Sequence, residues 1–374
     1  MFRKLYAVFL VWVVLIPGAA LAQQYTLTDL GSLSPTGINS WAQVVGNDNH
    51  YAFVWSFGHL RRLGTLAGGT FSWAAAINDF GEVTGTADGP GQIVSRFGGS
   101  TIECNDLIQP FIWTQQTQMR GVGTVGPASD EASFDDNGCP YPFYGAAINN
   151  RGQVVGYTGH LPDDFQWGFL WTNARDMSIF GSTFWNTFGN GISNSGEIVG
   201  ENGPEGYATY WKDGVATELG GLSGISEFGG SAANGVNDQG QIVGWSAAMS
   251  YIHAVTWTPS GTISDLGTLS GDTDSSASKI NLFGLVIGSS GNAVTNSTVI
   301  GGQEPGFGPG PLEVIGRPFI WSKAAGMLDL NKLIRPHSGW VLNTATDINL
   351  WGQIVGEGTR NGEPHGFLLT PTFF

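Results

Sequence analysis

The side chains of this chain that could do chemistry are mainly carboxylates. The segments Asp135–Gly138 and Asp272–Asp274 resemble pieces of calcium loops, because Ca²⁺ takes its ligands from clustered carboxylate and carbonyl oxygens. Neither segment has the spacing of a complete EF-hand loop, and solvated acidic loops have the same composition. A pair of carboxylates could also cleave a glycosidic bond, at a separation that sequence does not give. We therefore expect no bound cofactor, with calcium as the alternative.

The other residue types with catalytic potential lack the spacing that their chemistry needs. The six histidines show neither an H-E-x-x-H pattern nor zinc-ligand spacing, so we expect no metal site. No G-x-S-x-G elbow occurs, which excludes the usual serine hydrolase turn. Gly121–Gly126 matches G-x-G-x-x-G by letters, but no helix or βαβ context follows it, so it does not predict dinucleotide binding.

Composition limits the fold class and the partners. The 374 residues include 58 Gly and 14 Trp, and only 12% are charged, which argues against coiled coils and helix bundles. The 41% of hydrophobic residues are enough to build a core. With 30 acidic against 15 basic residues the formal charge is −15, which repels phosphate backbones, so we expect no nucleic-acid partner.

Residues 1–22 have the organisation of a secretory signal peptide. Met1–Lys4 is basic, Leu5–Ile16 is apolar, and Ala20–Ala22 provides an A-x-A cleavage site. The apolar run is shorter than the roughly 20 residues that span a bilayer. We expect a mature chain of residues 23–374, extracellular or periplasmic, without a membrane span.

One phrase, Ile-Asn-x-x-Gly-x-Val-x-Gly, recurs seven times after this segment, with Ala42 at the first Gly of copy one and Ser193 at the Asn of copy four. The copies begin at Ile38, Ile77, Ile148, Ile192, Val236, Ile280 and Ile348. Each is followed by a second phrase such as Phe111-Ile112-Trp113, and the clearest units end in a third, Leu63–Leu66 or Asp265–Leu269. Phrases of this kind, bounded by Gly, Asn, Asp or Ser, predict strands joined by tight turns, with Asn-x-x-Gly as a hairpin turn.

Four predicted strands per unit indicate an all-β, seven-bladed β-propeller. They are a small-residue strand ending at Ile-Asn, then Val-x-Gly, then the Phe-Leu-Trp type, then Leu-Gly-Thr-Leu. Residues 25–33 match only the fourth strand, whereas the last unit stops after its third strand at Leu369. The N-terminal strand should therefore complete the last blade and leave no open edge. The first strands would be innermost, and the Trp side chains would pack between blades.

The repeat resembles the extracellular HAF repeat of secreted bacterial proteins. The resemblance is carried by Tyr51–Trp55, Leu63–Gly69, Ala76–Gly81 and His253–Trp257, and it covers nearly all of residues 25–370. It implies a secreted bacterial repeat protein and carries no defined activity. The histidine that names the repeat is present at His253 and His365 only.

Units two and six contain insertions, near residues 87–109, 126–143 and 289–316. In a propeller these connections emerge on one face, together with the loop at 157–166, and loops on a rigid scaffold commonly bind ligands. We call this the insertion face. Its predicted ligand-binding rim is acidic and consists of Glu103, Asp106, Asp130, Glu131, Asp135, Asp136, Asp163, Asp164, Asp272, Asp274 and Glu304.

The function expected from these features is a secreted binding or scaffolding module whose ligand, an extracellular or cell-envelope polymer such as a polysaccharide, lies on the insertion face. The alternative is an extracellular carbohydrate-active hydrolase or lyase on the same scaffold. A carboxylate pair with perturbed pKa values in a central pocket would favour the enzyme.

Cys104 and Cys139, the only two cysteines, fall in two different insertions on this face. Because exported proteins favour disulfides, we expect the two thiols to be joined. Peptide mapping of the exported protein without reductant should yield one cross-linked peptide pair, which reductant separates. Recovery of both peptides with alkylated thiols would contradict the pairing.

Overall fold

Short apolar phrases between glycine and asparagine turns form strands along the whole repeat region, as their β-branched and aromatic composition favours. The computed structural model describes residues 24–89, 92–95, 101–104, 107–123, 142–158, 166–174, 177–181, 186–203, 206–222, 230–248, 251–296 and 312–372. These residues form seven four-stranded antiparallel sheets, one two-stranded hairpin and a short 3₁₀ helix, Leu330–Lys332. The predicted seven-bladed all-β propeller is confirmed.

The blades follow one another along the chain. Blade one contains β2 (Ser34–Ile38), β3 (Val44–Asp48), β4 (Tyr51–Ser56) and β5 (His59–Arg62). Blade two contains β6 (Ser72–Ile77), β7 (Val83–Gly89), β10 (Leu107–Thr114) and β11 (Gln118–Gly121), with the hairpin β8 (Gln92–Ser95) and β9 (Thr101–Cys104) between its second and third strands. Blade three contains β12 (Phe143–Ile148), β13 (Val154–Thr158), β14 (Gly168–Trp171) and β15 (Met177–Phe180).

The remaining blades repeat this order. Blade four contains β16 (Thr187–Ile192), β17 (Ile198–Asn202), β18 (Tyr207–Lys212) and β19 (Val215–Glu218). Blade five contains β20 (Ser231–Val236), β21 (Ile242–Ala248), β22 (Tyr251–Trp257) and β23 (Ile263–Gly267). Blade six contains β24 (Asp274–Ile280), β25 (Val286–Asn296), β26 (Leu312–Ser322) and β27 (Gly326–Asp329). Blade seven contains β28 (Trp340–Ile348), β29 (Ile354–Arg360), β30 (Glu363–Pro371) and the N-terminal strand β1 (Tyr25–Asp29).

The two ends of the chain close the ring. Strand β1 pairs antiparallel with β30, from Tyr25 opposite Pro371 to Asp29 opposite Phe367. The first strands of blades one and seven also contact each other, as the first strands of all neighbouring blades do. The predicted completion of the last blade by the N-terminal strand is therefore confirmed, and the first strands line the central axis.

The fourth strand lies earlier in the repeat than predicted. In blade one it is His59–Arg62, and Leu63–Leu66 follows it outside the sheet. The backbone turns at Gly64, where φ is +78°, a value that favours glycine. Leu63 and Leu66 then pack between blades one and two. The prediction of Leu-Gly-Thr-Leu as the fourth strand is therefore wrong in blade one, where these leucines fill the gap between blades. In blade five it holds in part, because Asp265, Leu266 and Gly267 lie in the fourth strand β23.

Each first strand has a β-bulge beside the last glycine of the repeat, and the close approach there explains why this position is glycine. In blade two the register shifts between Ala74 and Ala76, opposite Gly85. A Cβ at Gly85 would lie 1.9 Å from the Trp73 carbonyl oxygen, and the equivalent glycines of the other six blades are equally close to their first strands. Only glycine fits at this position.

The core lies between the blades. Five equivalent third-strand phenylalanines are fully buried, namely Phe53, Phe111, Phe169, Phe319 and Phe367. Trp113, Trp171, Trp211 and Trp257 are also buried, each in a cluster that joins two neighbouring blades. This confirms the predicted packing role of the repeated tryptophan.

The asparagine of each Asn-x-x-Gly turn binds its own turn and the next blade. In blade three, Asn149 Oδ1 accepts hydrogen bonds from the Arg151 and Gln153 backbone N–H groups, both 3.0 Å. Its Nδ2 donates to Gln153 Oε1 at 2.8 Å and to the Ser193 carbonyl of blade four at 2.9 Å. Six of the seven turns make this bond to the next blade, at 2.9–3.1 Å. We call these bonds the asparagine ring.

The predicted insertions are described in part. Within 87–109 the hairpin β8–β9 is present, and strands β25 and β26 extend into 289–316 until Asn296 pairs with Leu312. The predicted signal peptide, residues 1–22, and most of 126–143 lie outside the described residues. In the described ranges, no helix is long and apolar enough to cross a membrane.

Replacing Asn149 by alanine should lower the free energy of unfolding by about 2–4 kcal/mol, because two partly buried turn N–H groups and the buried Ser193 carbonyl lose their partner. Urea unfolding curves measure this. Asn173→Ala is the control, since Asn173 is exposed and accepts one bond from Arg120. A loss at Asn149 no larger than that control would contradict the structural role of the asparagine ring.

Candidate functional site

The insertion face is formed by the ends of the second strands and the beginnings of the first and third strands. The short Asn-x-x-Gly turns and the turns between third and fourth strands occupy the opposite face, which we call the turn face. The connections on the insertion face include the hairpin β8–β9 and the extended β25–β26 pair. Side chains that form a site on this face must therefore lie at strand ends or in the loops that follow them.

Most of the predicted acidic rim lies outside the described residues. This applies to Asp106, Asp130, Glu131, Asp135, Asp136, Asp163, Asp164 and Glu304. Glu103 lies in strand β9, and the adjacent Cys104 is buried. Cys139 is outside the described residues, so its pairing with Cys104 stays a prediction.

Asp272 and Asp274 join blades five and six. Asp272 Oδ2 accepts hydrogen bonds from Arg317 Nη2 at 2.8 Å and from Ser290 Oγ at 2.9 Å. Asp274 is buried and accepts a 3.0 Å bond from the Ile252 backbone N–H. Both carboxylates thus have protein partners, and their role in ligand binding stays a prediction. Among the described residues, no three His, Cys, Asp or Glu side chains converge as metal ligands.

The two histidines that match the HAF position connect strands of a single blade. His365 Nδ1 lies 2.7 Å from Asp29 Oδ1, and His253 Nδ1 lies 2.8 Å from Asp265 Oδ2. In blade six, Arg317 takes the same position and its Nη1 bonds Asp329 Oδ2 at 3.2 Å. Each pair links the third strand to the fourth, which is a structural use of the position.

Among the described acidic side chains on this face, Glu201 has a raised pKa. It lies near the end of strand β17 in blade four, where it is partly buried. Burial raises its pKa to about 7, and a hydrogen bond from the Asn190 side chain opposes that rise. Gly206 lies against the carboxyl, since a Cβ there would come within 3.1 Å of Oε2. The carboxyl therefore lies between the axial strand β16 and the start of β18.

Aromatic rings adjoin Glu201 at the axial end of the same face. Phe188 is directly opposite Glu201 in the strand pairing. Its ring centroid is 5.2 Å from that of Tyr157 in blade three, which is 5.4 Å from that of Tyr144. Burial raises the pKa of Tyr157 to about 12, so this phenol stays protonated at neutral pH. We call Tyr144, Tyr157, Phe188 and Glu201 the axial cluster.

A charged pair of residues lies deeper along the axis. Lys279 and Asp347 occupy the first-strand position that is Gly or Ala in the other five blades. Asp347 accepts backbone bonds from Ile38 at 2.9 Å and Ile348 at 2.8 Å. Burial raises the pKa of Asp347, and the Lys279 charge opposes this rise.

Sequence reasoning missed Glu201, Lys279 and Asp347, although the repeat contains a signal for each. Glu201 follows the last glycine of the repeat, where the other units have Asn47, Thr86, Tyr157, Trp245, Ser289 and Glu357. Aligning the seven copies position by position shows Lys279 and Asp347 as departures on the axial first strands, and Glu201 and Glu357 as the acidic residues at one second-strand position. Chemically, the axial cluster combines a carboxyl able to exchange a proton near neutral pH with flat apolar rings.

Comparisons with known proteins concern the fold. No family model and no curated protein match this chain. The similar solved structures include a "putative gluconolactonase" at 9% identity and a TM-score of 0.40, and the oligogalacturonate lyase of Vibrio parahaemolyticus at 8% identity and a TM-score of 0.48. The first alignment covers 93% of this chain and 92% of the other, and the second covers 93% and 97%.

Both names denote enzymes, and this finding corrects the main functional prediction. The binding or scaffolding module is set aside, and the alternative of a carbohydrate-active hydrolase or lyase agrees better with these names. At 8–9% identity the similarity says nothing about which residues act. Any activity of this chain has to be inferred from its own side chains.

Glu201→Gln should stabilise the protein at pH 8 and leave it unchanged below about pH 4.5. The folded state keeps the Glu201 proton up to a pKa of about 7, whereas the ordinary value is 4.5. Stability is therefore lost as the pH rises between these values, by about 3 kcal/mol at most. Urea unfolding of both proteins across this pH range measures the difference.

Glu218→Gln in the outer strand of the same blade is the matched control, because Glu218 is exposed. It should show no comparable pH-dependent difference from the natural protein. A stability difference for Glu201→Gln that is the same at every pH would contradict the raised pKa.

Proposed function

We propose that this protein is an extracellular enzyme that cleaves carbohydrate chains, a glycoside hydrolase or a polysaccharide lyase, with its active site at the axial end of the insertion face. The observation that carries this proposal is the axial cluster, in which a carboxyl with a pKa of about 7 adjoins aromatic rings. Glu201 is the proposed proton-transfer group.

A carboxyl with this pKa suits general acid or base catalysis. Near neutral pH it is present in both protonation states, so it can donate a proton to a leaving oxygen or accept one from carbon or water. An ordinary glutamate would be almost fully ionised at that pH. The physical cause is burial between strands β16 and β18, which leaves the Asn190 amide to stabilise the charged form.

The neighbouring rings fit a sugar substrate. Flat aromatic side chains bury the apolar faces of bound rings while their polar edges remain hydrogen-bonded. Phe188 and Tyr157, on adjacent blades, are packed against each other and partly exposed. The protonated Tyr157 hydroxyl can donate a hydrogen bond but does not serve as a base at neutral pH.

The second catalytic group depends on which bond-breaking chemistry operates. A hydrolase needs another carboxylate, as nucleophile or as base for water. Glu357 occupies the position equivalent to Glu201 in blade seven, and Asp347 is the other axial acid. A lyase instead needs a base to remove a proton from carbon and a positive charge near the substrate carboxylate, for which Lys279 is the axial candidate.

Activity is tested by incubating residues 23–374 with neutral and uronate-containing polysaccharides. New reducing ends report cleavage by either chemistry, and ultraviolet absorbance of an unsaturated product identifies a lyase. We expect Glu201→Gln to lower kcat at least about 100-fold, the usual scale of acid-base catalysis. The rate should depend on a group with an apparent pKa near 7.

Glu218→Gln, in the outer strand of blade four, is again the control and should keep full activity. Thermal unfolding of both variants separates loss of chemistry from loss of fold. The proposal fails if no polymer is cleaved, or if Glu201→Gln cleaves as fast as the natural protein.

A further inference from the structure

The turn face has a cavity at its centre that is unrelated to the axial cluster. Its volume is about 390 Å³, and its walls are the last first-strand residue of each blade and the next two residues of the turn. The last of these wall residues in each blade follows the asparagine, or Ser193 in blade four. These residues are Ser40, Asp79, Asn150, Asn194, Asp238, Leu282 and Leu350. The cavity is therefore polar on blades one to five and apolar on blades six and seven.

The third residue of each Asn-x-x-Gly turn, two positions after the asparagine, is exposed in all seven blades. The residues found there fall into two groups. This residue is aromatic in blades six, seven, one and two, as Phe283, Trp351, Trp41 and Phe80, which are 67%, 52%, 66% and 74% exposed. These blades are consecutive around the closed ring, since their asparagine bonds run from Asn281 to Asn349, Asn39 and Asn78. We call these four side chains the aromatic arc.

The fold does not require aromatic residues at this position. Blades three, four and five have Arg151, Ser195 and Gln239 there, in turns with the same backbone hydrogen bonds, although blade four has Ser193 in place of the asparagine. Large exposed aromatic side chains lower solubility, and a contiguous set of them usually marks a contact surface. Among the described residues, six aromatic side chains are strongly exposed, and four of them form this arc.

Both indoles of the arc are held in place by the neighbouring blade. Trp41 Nε1 donates a 2.9 Å hydrogen bond to the Asp79 carbonyl of blade two. Trp351 Nε1 donates a 2.9 Å bond to the Ser40 carbonyl of blade one. Each indole thus extends over the next turn with its polar edge satisfied and its ring surface in solvent. A fixed, exposed ring loses little conformational freedom when a ligand stacks on it.

We propose that the turn face binds a neutral oligosaccharide, which stacks on the aromatic arc and directs hydroxyl groups into the central cavity. Asp79, Asn150, Asn194 and Asp238 hydrogen-bond to one another around the cavity mouth, and their carbonyl and carboxylate oxygens have further lone pairs that can accept from hydroxyls. Rigid aromatic surface beside such groups is suited to sugar rings, which have apolar faces and polar edges.

Charge decides between a neutral glycan and other occupants. The carboxylates of Asp79 and Asp238 give the mouth of this cavity a negative potential. This potential repels uronate polymers, phosphates, anionic lipid and a second copy of the same face. A neutral polyol is free of that repulsion. The inference does not depend on the proposed function, because the axial cluster lies on the opposite face.

The test measures binding of residues 23–374 to soluble β-glucan, α-glucan, mannan, galactan and chitin oligosaccharides, with polygalacturonate as the acidic comparison. Isothermal titration gives the Kd. We expect one neutral glycan to bind, and Trp41→Ala with Trp351→Ala to weaken it at least tenfold. Trp41→Phe with Trp351→Phe should retain most of the affinity because a ring remains. Gln239→Ala, at the same turn position in blade five, should have no effect.

The outcomes separate this site from the proposed enzyme. Glu201→Gln should bind the glycan as the natural protein does, whereas the double alanine variant should keep its thermal unfolding temperature and any cleavage of short substrates. Binding of no neutral glycan, or equal binding by the double alanine variant, overturns the proposal. So does a preference for polygalacturonate, sedimentation with zwitterionic lipid vesicles, or a dimer that the double alanine variant dissociates.

Discussion

The side-chain amide of the repeated turn asparagine bonds in two directions, and the closed ring depends on this. Its oxygen satisfies two N–H groups of its own turn, and its nitrogen reaches the backbone of the next blade. Blade four shows what the amide contributes, because Ser193 has no nitrogen to extend to blade five. There the link to blade five comes from the next turn residue, since Asn194 donates bonds of 2.7 Å from its backbone N–H and 2.8 Å from its side chain to Asp238. The equivalent backbone N–H also bonds the next blade in blades one to three, so these bonds form a second layer beside the asparagine ring.

This constraint acts at one end of the axis and leaves the other end free to vary. On the turn face, seven short turns are joined to one another, and Ala42 even adopts a φ of +58° to preserve the turn where glycine is missing. On the insertion face, strands β25 and β26 extend and a hairpin is added without disturbing the asparagine ring. A rigid ring beneath variable strand ends is a scaffold on which a site can be built.

Blade number, strand order and ring closure could be predicted because they depend on the repeat and on how the termini complement each other. The position of the fourth strand could not, since Leu63 and Leu66 are apolar whether they pair in a sheet or pack between blades. The site residues were harder to predict from sequence than the strands. The raised pKa of Glu201 arises from burial between strands of blade four, and composition gives no measure of that burial. The predicted rim relied on counting acids in loops, where Asp272 and Asp274 turn out to bond neighbouring strands and Arg317.

A repeat protein provides its own control for deciding which residues serve the fold. The backbone at one position is nearly the same in seven blades, so a residue type that most blades lack is not needed to form the turn or strand. Glu201 and Asp347 stand where most other blades have neutral side chains, the exceptions being Glu357 and Lys279, and burial raises the pKa of Glu201 and of Asp347. Such departures cost stability, as a buried acid does at neutral pH. This cost at the axis of an otherwise regular ring supports the proposed proton-transfer role of Glu201, and the aromatic turns on the opposite face support the proposed glycan site by the same reasoning.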